Sequence, residues 1–338
     1  MKRYRIVVAG CGNMAHTWLD YAAERDDAVI VGLVDIREEN ARAMAERRGL
    51  NVPTFADLES ALKATDANLV FDITVPASHK QVVSTALQAG CHVFGEKPMA
   101  ESMEDARRLL ELSQKLRKRY IIMQNRRYLR HLRGLRDFLR SGAVGTVGTI
   151  HADFFIGAHF GGFREVMDSP LIVDMAIHTF DQARFLSGAD PVSVYCQEFN
   201  PPGSWYKGNA SAVCIFEMSD GSVFCYRGSW CAEGFSTSWE SDWRIIGSKG
   251  TVRWNGAEPP VCEVADGERP SAWMNPVKRI EVPLNWHGRQ GHWGCLDEMF
   301  ASLEQDRPAE TDAADNIKSM AMVFGALESS RSGKKITL

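Results

Sequence analysis

The stretch PLIVDMAIHTFDQARFL, residues 170–186, sets two acids and an imidazole inside an otherwise apolar helical pattern. At about 100° per residue, Asp174, His178 and Asp181 fall on one narrow arc, flanked by Leu171, Ile172, Met175, Ile177 and Phe180. Burying such groups costs desolvation energy that must be offset by pairing or use. Histidine is the side chain best suited to take and return a proton near neutral pH. With Asp174 one turn before it and Ser169-Pro170 as a helix start, His178 reads as a general acid/base. Asp181 serves equally well as an acceptor for scaffold hydrogen bonds and is left outside that set.

A second chemical signature stands near the start. The apolar run YRIVVAG leads into GCGNMA, Gly10 to Ala15, and a helix pattern follows. Gly10 suits a tight turn, Gly12 lets the backbone approach a pyrophosphate, and Ala15 is small enough for close strand–helix packing. Asn13 and Met14 lie at the helix N-terminus, whose open N–H groups attract an anion. Asp35 ends the second strand, where a carboxylate accepts from both ribose hydroxyls and repels a 2′-phosphate. The expected cofactor is therefore NAD; Arg37, two residues on, is the feature that would favour NADP.

The elements that position these groups fall into two patterns. Residues 1–125 alternate strand and helix, with strands VIVGLVD, NLVFDIT, HVFGEK and YIIMQN, which argues for a doubly wound parallel sheet. Residues 126–338 carry the helix YLRHLRGLRDFLRSG, the arc-bearing helix, and long strand-like runs such as PVSVYCQEF, SAVCIFEMS and SVFCYRGSW joined by short turns. That is an α+β domain with a large, mainly antiparallel open sheet. Two helices, roughly 293–306 and 312–331, close the chain.

Composition narrows the function classes. The chain has 338 residues, net charge −4, 45% apolar and 24% charged residues, which fits a two-domain soluble enzyme. No long basic run points to nucleic acid, and no window suits a membrane span or a signal peptide. The eight cysteines form no C-x-x-C pair, so reduced core thiols, a cytoplasmic location and no metal site are expected.

These motifs together resemble the Gfo/Idh/MocA oxidoreductases, the glucose–fructose oxidoreductase and inositol dehydrogenase type. The resemblance rests on GCGNMA, on TVPASH (Thr74 to His79), on GEKPMA (Gly95 to Ala100) and on DMAIHTFD, in that order along most of the chain. It implies that Lys97 reaches toward the reacting hydroxyl or carbonyl, with its backbone and Pro98 near the nicotinamide; Glu96, pointing to the opposite face from Lys97, is expected to serve the fold or the cofactor loop. It implies that Thr74, Pro76 and His79 line the nicotinamide end, and that His178 is the acid/base with Asp174 its acidic partner. Arg127, after the last Rossmann strand, and Arg164, in the Gly-rich loop GAHFGGF-R, are candidates to bind a polar or anionic substrate.

The expected substrate is a sugar, sugar derivative or cyclitol, and the reaction hydride transfer to or from a secondary alcohol. Two other functions fit such a chain: a glycosidase using NAD for transient oxidation, and a non-enzymatic cofactor-sensing regulator. Intact Lys97, Asp174 and His178 weigh against the last. The one-sided sheet is expected to form a homodimer or homotetramer. The Trp-rich stretches GSWCAEGFSTSWESDW and NWHGRQGHW have no assigned role in this reading.

Overall fold

A computed structural model describes residues 3–267 and 273–338. In chain order its first elements are β1 (Tyr4–Ala9), α1 (Ala15–Glu24), β2 (Ala28–Val34), α2 (Glu38–Arg48), β3 (Thr54–Phe55), α3 (Leu58–Ala64), β4 (Leu69–Asp72), α4 (Pro76–Gln88), β5 (His92–Gly95), α5 (Met103–Leu116) and β6 (Tyr120–Ile122). They are followed by α6 (Arg130–Arg140), β7 (Val147–Phe155), the short α7 (Phe163–Val166), a π-helical turn at Leu171–Ala176, α8 (Ile177–Ser187), β8 (Pro191–Phe199), β9 (Ser211–Met218) and β10 (Val223–Ser229). The last are β11 (Asp242–Gly247), β12 (Gly250–Trp254), β13 (Val261–Ala265), β14 (Val277–Glu281), α9 (Gly291–Glu304), α10 (Ala313–Ser332) and β15 (Ile336–Thr337).

The first compact unit holds the chain up to Asn125 together with Arg289–Met320. Its six strands are all parallel in the order β3-β2-β1-β4-β5-β6. Strands covered on both faces read as unbroken apolar runs, and β4 is buried throughout. The order reverses between β1 and β4, the place where open α/β sheets bind ligands at their carboxyl ends. Val34, Ala9, Asp72 and Gly95 are paired across β2, β1, β4 and β5 in one row. The segments after these four residues therefore emerge along one edge of the sheet.

Residues 289–320 do not belong with the second unit, as the reading of 126–338 as a single domain expected. Phe300 of α9 explains why. Its ring stacks on Tyr21 at 5.7 Å and meets Tyr4 and Phe94 edge-on at 5.0 and 5.1 Å. Each such pair adds roughly 0.5–1.5 kcal/mol beyond its area burial. Tyr21 Oη also donates to Asp297 Oδ1 at 2.8 Å.

The second unit comprises Arg126–Gly288 and Ala321–Leu338. Its nine-stranded sheet runs β14-β13-β12-β11-β7-β10-β9-β8-β15. Every pairing is antiparallel except β7 with β10. Alternation is strict in β9, where Cys214, Phe216 and Met218 point inward while Val213 and Ile215 are exposed. Phe180 of α8 packs on the inner face, with ring centroids 4.9 Å from Phe216 and 5.3 Å from Tyr226. All eight cysteines are free thiols, six of them buried.

The segment 170–186 is not one uniform α-helix. Leu171–Ala176 winds as a π-helix before α8 begins, so the 100° arithmetic fails across Asp174. Such π-turns recur at functional sites because they re-aim side chains without breaking the helix.

Candidate functional site

The row of strand ends in the first unit builds a cradle with the shape of a dinucleotide site. Gly10 has φ +93°, and a Cβ there would sit 2.5 Å from the carbonyl oxygen of Ile73 after β4. Only glycine fits this crossing of the two central strand ends. Gly12 is different: a Cβ would meet nothing within 4 Å. The fold itself does not require glycine there, but a ligand lying against the backbone would. Met14 caps α1 without a side-chain hydrogen bond, and the first turn closes on the glycine loop, with the N–H groups of Ala15 and Thr17 donating to the carbonyls of Gly12 and Met14 at 3.1 and 3.2 Å.

Asp35 follows β2 with its carboxylate already oriented. Oδ2 accepts from the Cys11 backbone N–H at 3.0 Å; Oδ1 accepts from Arg37 N–H at 3.0 Å and Asn40 Nδ2 at 3.1 Å. The Arg37 side chain is exposed. Glu96 accepts from Trp18 Nε1 of α1 at 3.0 Å, which ties the loop after β5 to the helix of the glycine turn. Lys97 is half-buried and its peptide bond to the buried Pro98 is cis. Pro76 opens α4.

The side chain of His79, an expected cofactor contact, is 0% exposed. Nδ1 lies 2.8 Å from Asp72 Oδ2, and Thr74 Oγ1 donates to Asp72 Oδ1 at 2.6 Å. Burial alone would depress the imidazole, but the charge and hydrogen bond of Asp72 outweigh it and its pKa is raised. His79 thus anchors Asp72 and, through it, Thr74 beside the glycine turn. Its position one turn into α4 turns it toward the sheet.

In the second unit His178 is buried at 8% exposure, and the side chain of Asp174, in the π-turn, is 15% exposed. Asp174 Oδ2 accepts from Arg164 Nε at 2.6 Å, so the loop arginine and the helix acid are brought together. Asp181 is almost fully buried and takes the fork of Arg127, with Nε at 2.6 Å from Oδ2 and Nη2 at 2.7 Å from Oδ1. Arg184 Nη1 adds a contact at 3.8 Å. The two arginines proposed as anion receptors are therefore each paired with a carboxylate of the same helical segment. Arg127 has 6% of its side chain exposed in this pair.

Sequence reasoning passed over Arg126. Its Nη2 lies 3.7 Å from Met175 Sδ, its Nη1 donates to the carbonyl of Trp239, and Glu240 is 3.5 Å away. Burial lowers its pKa, against the attraction of Glu240, Tyr226 and Asp174. A further buried acid, Glu198 on β8, accepts from Ser169 Oγ at 2.9 Å at the entry to the π-turn. Burial pushes its carboxyl up to about 7, with Ser169, Asn209 and Arg331 pulling the other way. Among the described residues no group of three or more His, Cys, Asp or Glu is placed to hold a metal ion, and no helix is long and apolar enough to cross a membrane.

Comparison with known proteins agrees with this architecture. Residues 4–124 match the family model "Oxidoreductase family, NAD-binding Rossmann fold", and residues 132–253 match "GFO/IDH/MocA C-terminal domain". The D-apiose dehydrogenase of Paraburkholderia graminis is 27% identical over 100% of this chain and 90% of its own length. The inositol 2-dehydrogenase of Rhizobium meliloti is 23% identical over 99% of each. An oxidoreductase from Agrobacterium radiobacter, solved with NAD+, L-tartaric acid and magnesium, superposes with a TM-score of 0.85 at 21% identity, over 99% of this chain and 98% of that one.

Proposed function

The chain belongs to the Gfo/Idh/MocA family of NAD-binding oxidoreductases and acts on CH–OH groups, and from this premise we propose the roles of its residues and the class of its substrate. The substrate is a sugar, sugar derivative or cyclitol, the class named by relatives such as the apiose and inositol dehydrogenases. The observation that carries the reading is the Gly12 cradle, open to a ligand, beside the oriented carboxylate of Asp35.

Gly10, Gly12, Asn13 and Met14 hold the pyrophosphate through the loop and the N-terminus of α1. Asp35 takes the ribose hydroxyls, which favours NAD over NADP. Thr74, Pro76, Glu96, Lys97 and Pro98 serve the nicotinamide end. NAD, when bound, supplies the hydride acceptor for oxidation and the donor for reduction. Lys97 donates a hydrogen bond to the reacting oxygen and stabilises negative charge developing on it. His178 removes the hydroxyl proton at a ring nitrogen in oxidation and returns it in reduction. Asp174 orients that helix turn with Arg164 as its counter-charge.

The open face of the nine-stranded sheet is assigned to self-association. It exposes Tyr195, Val213 and Ile215, and the row of Tyr195 and Ile215 continues through the half-buried Cys225 and His151 to the exposed Arg244 and Arg253. Apolar residues at one end with arginines toward the other suit a two-fold pairing, giving a homodimer or homotetramer. Ile215→Asp should release monomers in sedimentation velocity.

The experiment for the reading as a whole follows NADH formation with sugars and cyclitols. His178→Asn should lower turnover by about 10²–10⁴-fold while NAD binding persists. Sugar release without net NADH would favour the glycosidase alternative. A wild-type protein that binds NAD and oxidises no alcohol would refute the assignment.

A further inference from the structure

The Trp-rich segment between β10 and β11 and the Gly-rich loop after β7 meet around Asp174. Arg164, paired with Asp174, lays its guanidinium over Phe160 at 5.2 Å and over Phe163 at 4.7 Å. Phe160 is edge-on to Trp230 at 5.2 Å and 6.1 Å from Trp239 at an interplanar angle of 50°. The carbonyl of Trp239 binds Arg126, whose other end touches Met175, the neighbour of Asp174. A ring of contacts thus closes on itself through the Trp239 carbonyl and the Asp174–Met175 backbone, all within the second unit.

Three properties of this ring bear on what it receives. Phe160 and Trp239 are 43% and 45% exposed although Trp230 behind them is buried. Their tilted faces make a corner for a flat C–H surface. Each arginine of the ring has an acid, Arg164 with Asp174 and Arg126 with Glu240, so the corner offers no surplus charge to a carboxylate or phosphate. Polar groups stand at the rim: His159 stacks on Trp205 at 3.7 Å and its Nε2 lies 3.0 Å from Glu233 Oε1, both exposed. Aromatic faces with a hydrogen-bonding rim fit the apolar face and hydroxyl edge of a sugar ring. Between the corner and Asp174 stands the Arg164 guanidinium, 2.6 Å from Asp174 Oδ2 and 5.2 Å from the Phe160 ring.

We propose that Phe160 and Trp239 form a stacking subsite for a second, uncharged sugar ring, so that the substrate is a glycoside and not a free monosaccharide or cyclitol. This rests on the dehydrogenase reading above and adds the size and charge of its substrate.

The test measures kcat/KM with NAD for D-glucose, D-galactose, D-xylose and myo-inositol, and for cellobiose, maltose, lactose, xylobiose and galactinol. The best disaccharide or glycoside should exceed its matching single ring by about tenfold. Trp239→Ala should cut that ratio by roughly three- to tenfold, the worth of one aromatic contact. Trp239→Phe should keep most of it. Phe160→Leu, on a loop, provides a second variant should Trp239→Ala misfold, and should also lower the ratio. Oxidation of single rings with no gain from a second ring would overturn the subsite and leave the dehydrogenase reading standing. So would a gain that survives both Trp239→Ala and Phe160→Leu. No oxidation of any compound by an NAD-binding protein would overturn both.

Discussion

Arg127 separates two readings of the same residue. As a substrate receptor, its loss would raise KM and leave the fold alone. As the partner of Asp181, its loss leaves a carboxylate with 2% side-chain exposure, with Arg184 3.8 Å away. Removing one member of a buried, bidentate pair costs about 3–5 kcal/mol, because the remaining charge stays desolvated. For a unit of this size that is a fall in Tm of roughly 6–20 °C for Arg127→Met. Both charges removed together is another matter. Arg127→Met with Asp181→Leu keeps volume and leaves no stranded charge, so the double variant should recover most of the loss.

The assay is urea or thermal unfolding of the four proteins of the cycle, with substrate KM measured beside it. The cycle should give a coupling energy of several kcal/mol, with about the sign and size just stated. Should Arg127→Met unfold within about 1 kcal/mol of wild type and raise KM, the guanidinium faces substrate and the structural assignment is wrong.

Three further outcomes follow from the same geometry. Gly12→Val should fold normally, since a Cβ meets nothing there, yet weaken NAD binding by about tenfold or more in calorimetry; Gly10→Ala should instead lower stability, because its Cβ would strike Ile73. Lys97→Met should keep NAD binding and lose nearly all turnover, and near-normal rates would remove Lys97 from the chemistry. Glu198, pushed up to about 7, is protonated in the fold at pH values where the unfolded chain has already ionised. Its contribution is thus fully present below the unfolded pKa of about 4.3 and is lost as pH rises toward and through 7. Glu198→Gln should gain on wild type by on the order of 1–3 kcal/mol between pH 5 and pH 8; a pH-independent gap in urea midpoints would refute this.

The first unit was readable because its signals are local. A strand, a glycine turn, a helix and an acid 20 residues on lie within one βαβ unit, and the parallel register then aligns the four strand ends. The second unit shows where such reading stops. β13 is only five residues long, has Glu263 among its apolar residues and follows Pro259-Pro260, so its sequence offers no long apolar run. Helix α9 shows the apolar pattern of a core helix, but nothing in that pattern says whose core; only the ring contacts of Phe300 decide it. The π-turn at Leu171–Ala176 has no composition of its own.

The arginines show the limit most sharply. Arg126 and Arg127 are adjacent, identical in type, and lie in one 3-10 turn at Asn125–Tyr128. One turns to Asp181 and becomes scaffold; the other turns to Met175 and Glu240 beside Asp174. Residue type foretells that a guanidinium will seek a carboxylate, but not which carboxylate the chain will bring. Once the pairs are known, the chemistry changes. With Arg127 held by Asp181, Arg164 by Asp174 and Arg126 by Glu240, the helix that carries Asp174 and His178 is flanked by compensated charge. Selection there has to come from shape, aromatic faces and hydroxyl contacts, which is why a neutral polyhydroxylated ring fits this unit better than an anionic substrate.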